Sequence, residues 1–163
     1  MNKDIILLIG MPGCGKSTIG KELSRKINYD FYDMDEYIEK ISNKTIKELF
    51  EINEDYFRDY ETKACKELSN KKKVVISSGG GIIKREENIN FFKEKTIIIF
   101  IDRSVENIAS DLDISSRPLL KEGVKKLYNL YIERYNLYNK YCDIKLVNDK
   151  TIENIINEIT QFI

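Results

Sequence analysis

The chain has 163 residues, enough for one domain with its own core. Its 27 basic and 27 acidic residues cancel, which gives no support for a nucleic-acid-binding surface. Histidine is absent, which excludes zinc–histidine sites and histidine base catalysis, so a general base must be a carboxylate, lysine, cysteine or tyrosine.

Met1 to Lys3 lead straight into a first strand, residues 4–9, leaving no room for a signal peptide. No apolar run approaches the ~20 residues of a membrane span. The three cysteines, Cys14, Cys65 and Cys142, are an odd number without metal-ligand spacing, which fits a reducing compartment and no disulfide frame. A cytoplasmic, soluble chain that binds neither membrane nor nucleic acid is expected.

The first strand is apolar almost throughout, as a strand buried on both faces should be. It runs into Gly10-Met11-Pro12-Gly13-Cys14-Gly15-Lys16-Ser17, followed by an amphipathic helix from Thr18 to Ile27. Strand, Gly-x4-Gly-Lys-Ser and helix make a P-loop. Polyphosphate oxygens need several backbone N–H groups turned toward one point, which glycines permit and a helix N-terminus reinforces. Gly13, Cys14, Gly15, Lys16, Ser17 and Thr18 are therefore expected to bind ATP. Lys16 reaches the outer phosphates and the Ser17 hydroxyl ligates Mg2+. Cys14 reads as a small residue tolerated in the loop.

A second strand, Tyr29 to Asp33, ends in acids. If the chain stays extended through Asp33-Met34-Asp35, both carboxylates project to the phosphate side, one toward magnesium through water and the other toward an attacking hydroxyl. The alternative is an acidic helix start. Residues 34–70 are helical in pattern, with starts that Thr45 or Asn53 caps. Within them Phe57, Glu61, Ala64, Cys65 and Leu68 form one stripe, and Arg58 lies three residues from Glu61. The pair is either an arginine fixed toward a cleft or a surface ion pair.

A third strand, Val74-Val75-Ile76, runs into Gly79-Gly80-Gly81, where exposed amides contacting a substrate or a tight turn explain the glycines. A helix about 84–93, a strand Thr96–Ile101 and a helix from Ser104 follow. Residues 111–122 lose periodicity and read as a loop holding Arg117-Pro118, with Arg117 able to close over phosphates. A long helix about 123–141 carries Arg134 in the middle of its apolar face of Leu127, Leu130, Tyr131 and Tyr138. An arginine there should meet a buried carboxylate or an anionic ligand, the alternative being that it snorkels to solvent. A strand Asp143–Val147 and a helix from Thr151 close the chain.

Strands alternating with helices predict an α/β fold, a parallel sheet with helices on both faces and ligands beyond the strands' carboxyl ends. One domain, 1–163, is expected, with a substrate-binding insert about 33–61 and a lid about 111–123. The residues alone point to Mg–ATP and a small acceptor with a hydroxyl and an anionic group held by arginines. A gluconate-type or nucleoside monophosphate kinase, or a nucleotide-binding regulatory module, would share part of this pattern.

The loop 10–17, Asp33-x-Asp35, Phe57-Arg58-x-x-Glu61, Gly79–Gly81, Arg117-Pro118-Leu119-Leu120 and Arg134-x-x-x-Tyr138, taken together, resemble shikimate kinase. The resemblance implies a three-layer P-loop kinase fold with a five-stranded parallel sheet, related to nucleoside monophosphate kinases. It implies phosphorylation of the shikimate 3-hydroxyl by ATP with Mg2+, in the pathway to the aromatic amino acids. By the same resemblance, Lys16, Asp35 and Arg117 are catalytic, with Asp35 the base and Arg117 reaching ATP from the lid. Asp35, Arg58, Gly79, Gly80, Gly81 and Arg134 bind shikimate, Glu61 orients Arg58, and Ser17 with Asp33 holds the metal, Asp33 through water. A monomer is expected. Ser110 stands where the family often has an arginine stacked on adenine.

Overall fold

The computed structural model describes residues 3–111 and 117–163, with the backbone alone for 117–121. Five strands, β1 (Ile5–Ile9), β2 (Asp30–Asp33), β3 (Val74–Ser77), β4 (Thr96–Asp102) and β5 (Ile144–Val147), form one sheet. Their order is β2-β3-β1-β4-β5, and every pairing is parallel. β1, apolar throughout, and β3, apolar up to Ser77, lie inside and are wholly buried. β2 and β5, with charged residues in their runs, take the edges.

The chain leaves β1 for one side of the sheet and crosses to the other on reaching β4. The P-loop thus emerges at the middle, where such sheets open a crevice at their carboxyl ends. Around the sheet are α1 (Lys16–Ile27), α2 (Met34–Ser42), α3 (Ile46–Ile52), α4 (Glu54–Leu68), α5 (Glu86–Asn90), α6 (Val105–Ser110), α7 (Arg117–Tyr141) and α8 (Ile152–Thr160). α1 packs on β2, β3 and α8, and α4 gathers α2, α3 and α5.

The helix starts follow local side-chain chemistry. Thr45 and Asn53 both cap, α3 through a reciprocal Thr45–Glu48 box and α4 through the Asn53 side-chain Oδ1 accepting from the Tyr56 N–H. Ser104 and Thr151 cap α6 and α8 in the same manner. The helix expected over 84–93 is shorter: a single 3-10 turn, Ile82–Lys84, precedes α5.

Two expectations are corrected. Asp33-Met34-Asp35 does not stay extended. The Asp33 Oδ1 accepts from the Asp35 and Glu36 N–H groups, so Asp33 is an N-cap and the helix begins at Met34. The loop expected over 111–122 is also revised. Residues 112–116 lie outside the described residues, but α7 starts at Arg117 and runs for 25 residues. Pro118 falls in the first helical turn, where its missing N–H has no partner to lose, and Gly123 is carried inside the helix at modest cost.

Candidate active site

The first helical amides of α1 have no side-chain cap. Gly15, the N-cap, has φ 100°, a left-handed conformation open to glycine, and leaves those N–H groups facing the loop. Lys16 is 7% exposed and folds back over the loop. Its Nζ donates to the Gly10 and Met11 carbonyls at 2.9 Å each and lies 3.6 Å from the Cys14 Sγ. The Lys16 ammonium, held on loop carbonyls, and the uncapped N–H groups of α1 thus lie about one loop, an arrangement for phosphate. Cys14 is fully buried, in keeping with a packing role, and all three cysteines are free. Cys65 is core, whereas Cys142 is only partly buried, just past the end of α7.

A cleft of about 900 Å³ opens from this loop. Gly13, Gly15, Lys16, Ser17 and Thr18 line it, together with Asp33, Asp35, Gly79 and Gly80. The Ser17 hydroxyl donates to the Asp33 Oδ2 at 2.8 Å and lies 3.1 Å from the Ser77 hydroxyl. These are hard oxygen groups with no thiolate among them, the donor type that Mg2+ takes. Ser77 was missed. Only the β2–β3 register, which sets Asp33 opposite Ser77, brings it to Ser17.

Asp35 lies in the first turn of α2 and turns toward the glycine triplet. A Cβ placed on Gly79 would fall 3.1 Å from its Oδ1 and 3.5 Å from the Glu61 Oε2. Burial pushes the Asp35 carboxyl above its ordinary range, and the neighbouring Asp33 adds to the rise. Lys16 and Arg58 oppose it.

The stripe on α4 is as expected: Phe57, Glu61, Ala64, Cys65 and Leu68 are all buried. Arg58 is buried with them. Its Nη1 donates to the Glu61 Oε1 at 2.9 Å, and its Nε and Nη2 donate to the Glu54 Oε1 at 3.3 Å each. The Phe57 ring lies 5.0 Å below the guanidinium. The choice between a surface pair and a fixed arginine is settled for the latter by burial, because Glu61 is 1% exposed. That burial raises the Glu61 carboxyl, against the pull of Arg58. Glu54 was missed, since it lies on the exposed side of the helix and grips only the guanidinium's outer edge.

Arg134 is 8% exposed on α7. No carboxylate pairs with it among the described residues, and its Nε has no hydrogen-bond partner. Of the two partners expected for it, a buried carboxylate is thus not found. Both arginines touch the glycine triplet. A Cβ on Gly80 would lie 3.3 Å from the Arg134 Nη1 and 2.8 Å from the Pro12 Cδ, and one on Gly81 only 2.4 Å from the Arg58 Nη1. The glycines are there because guanidinium groups and the P-loop come too close for any side chain.

At the other end of the cleft, Asn148 donates from Nδ2 to the Cys14 carbonyl at 2.8 Å. The Arg103 Nη1 donates to the Gly13 carbonyl at 3.2 Å and to the Asp111 Oδ2 at 2.5 Å. Ser110 turns its hydroxyl back to the Asn107 carbonyl at 2.7 Å. The Arg117 side chain lies outside the described residues.

A family model described as Shikimate kinase matches residues 12–163. The chain is 55% identical to the shikimate kinase of Clostridium beijerinckii over 161 residues, 99% of this chain and 95% of that one. It is 42% identical to that of Aquifex aeolicus over 156 residues, 94% and 92% of the two. Among solved structures it is similar to the shikimate kinase from Acinetobacter baumannii in complex with shikimate. That match has a TM-score of 0.88 and 30% identity and covers 98% of this chain and 92% of the other. The Aquifex aeolicus crystal structure matches with a TM-score of 0.83 over 96% and 94%. With this likeness extending over nearly the whole chain, and over a fold that ends its strands at a P-loop and an arginine-lined glycine triplet, the chain belongs to the shikimate kinase family.

Proposed function

We propose that the chain transfers the γ-phosphoryl group of ATP to the 3-hydroxyl of shikimate, with the residue roles that follow. The observation that carries these roles is one of placement. Two buried arginines and a carboxylate converge on Gly79–Gly81, directly across Pro12 from a loop built for polyphosphate.

In this reading Arg58 and Arg134 hold the acceptor's carboxylate, and Gly79, Gly80 and Gly81 leave room for its ring. Glu61 and Glu54 hold Arg58 by two sides of its fork, so its direction is set before the acceptor arrives. The Asp35 carboxylate accepts a hydrogen bond from the acceptor hydroxyl and takes its proton as the new O–P bond forms. The bond from the γ-phosphorus to the bridging oxygen breaks in line, and the electron pair leaves with ADP. Lys16 exchanges the Gly10 and Met11 carbonyls for phosphate oxygens. Gly13, Cys14, Gly15, Ser17 and Thr18 hold the triphosphate through loop and helix amides.

Magnesium fits here: the Ser17 hydroxyl would ligate it, and Asp33 would hold it through water. When bound it supplies charge neutralisation at the β- and γ-phosphates. Residues 33–61 serve as the acceptor-binding insert and 111–123 as the lid, from which Arg117 reaches the transferring group. Every residue named comes from one chain, so a monomer suffices, and cytoplasmic ATP is the donor.

A coupled assay of ADP release with shikimate, gluconate and nucleoside monophosphates tests the reading. Release is expected with shikimate. Release with gluconate or a monophosphate alone would reject the acceptor, and release with none would leave a nucleotide-binding module.

A further inference from the structure

Tyr138 lies one turn beyond Arg134 on α7, and no role in the transfer falls to it above. It is fully buried, yet it carries a hydroxyl. That hydroxyl donates to the Gly80 carbonyl at 2.6 Å. Its ring rests on Phe100 of β4, centroids 5.0 Å apart and planes tilted by 32°, so the phenol is braced against the sheet. A buried polar group needs a partner, and here each group supplies the other's need.

The partner is unusual in its position. Gly80 is the residue at which the two halves of the cleft meet, touching Pro12 of the P-loop on one side and the Arg134 guanidinium on the other. α7 therefore has one fixed point against the site. Arg134, which has no carboxylate holding it among the described residues, is only a turn away from it. Arg58 is aimed by two glutamates, whereas no carboxylate among the described residues aims Arg134.

We infer that Tyr138 is a positioning residue: its bond to Gly80 sets the height of Arg134 over the acceptor site. The inference rests on the acceptor reading above. Two further facts agree with it. Burial pushes the phenol well above its ordinary range, partly offset by the Arg134 guanidinium beside it, so the group stays a donor at any working pH. And α7 runs unbroken through both residues, so the pin at Tyr138 is carried rigidly to Arg134 one turn away.

Tyr138→Phe keeps the ring and removes the hydroxyl. Steady-state ADP release is measured for this variant, for Arg134→Met and for the double variant, with the melting temperature of each. The shikimate KM of Tyr138→Phe should rise about tenfold, what one such hydrogen bond is worth, with the ATP KM and kcat changed less. The double variant should be no worse than Arg134→Met alone, because the tyrosine acts through the arginine. An unchanged shikimate KM, equal rises in both KM values, or additive losses in the double variant would each overturn the inference. Should Tyr138→Phe fail to fold, Phe100→Leu loosens the bed of the same ring with the hydroxyl kept. A smaller rise confined to the shikimate KM is then expected, and its absence refutes. Wild-type turnover of shikimate, measured alongside, separates the two readings: if it fails, the acceptor assignment falls, and if it holds, only the role of Tyr138 is at stake.

Discussion

Arg134→Met is the substitution for which stability and activity should move in opposite directions. Methionine keeps an unbranched stem and removes the guanidinium. In wild type that guanidinium is 8% exposed, its Nε has no partner, and no carboxylate pairs with it among the described residues. A buried unsatisfied polar group costs ~1–3 kcal/mol, so its removal should stabilise the free protein by about that much. For a chain of this size that is a rise of about 2–10 °C in melting temperature, read by differential scanning fluorimetry without ligands.

The acceptor loses two charge-assisted hydrogen bonds worth ~1.5–3 kcal/mol each, so kcat/KM for shikimate should fall by about 10²–10⁴-fold while the ATP KM holds. A melting temperature lowered by several degrees, with kcat/KM for shikimate little changed, would refute the reasoning. Arg134 would then be a structural strut, and the convergence of two arginines on the glycine triplet would not define an acceptor site.

Other substitutions test the remaining parts. Asp35→Asn should abolish turnover while ATP binding, followed by calorimetry, persists, and near-normal turnover would reject Asp35 as the base. Because burial holds the Asp35 carboxyl of the free enzyme above its ordinary value of ~3.9, kcat/KM for shikimate should fall on the acid side through a pKa higher than that. An acid limb at or below ~3.9 would contradict it. The same shift has a sign for stability. A raised carboxyl contributes fully below its unfolded value and loses that contribution as pH rises through its folded value. Asp35→Asn should therefore unfold at a higher temperature than wild type at pH 7. Gly81→Ala puts a methyl 2.4 Å from the Arg58 Nη1 and must push the guanidinium off Glu61. A tenfold or larger rise in shikimate KM, on the order of one charge-assisted bond, is expected with ATP binding intact.

Much of this site is legible along the chain because its chemistry is local. Gly15-Lys16-Ser17 after five apolar residues specifies a phosphate loop wherever it sits. The caps at Thr45, Asn53, Ser104 and Thr151 need only their own next three residues. The inward stripe of α4 follows from a period of 3.6, and that period alone puts Glu61 beside Arg58 on the buried side. Where local rules compete, the reading fails. Asp33-Met34-Asp35 is either an extended end or a helix start by composition, and two N–H groups accepted by Asp33 decide for the helix. Arg117-Pro118 looks like loop, but a proline in a first turn costs a helix nothing.

The rest depends on the tertiary structure, for a physical reason: the partners are far apart in the chain. Asn148 reaches the Cys14 carbonyl across 134 positions, Arg103 reaches Gly13 across 90, and the Tyr138 hydroxyl reaches Gly80 across 58. No periodicity encodes such pairs, because only the strand order brings P-loop, glycine triplet and α7 together along the edge formed by the strands' carboxyl ends. By itself the sequence determined that a polyphosphate binds and that arginines with carboxylates lie inward. The packing of α7 and α4 against that edge decided how they meet, leaving Arg134 with no protein carboxylate among the described residues and Asp35 held at a raised pKa beside the phosphate loop.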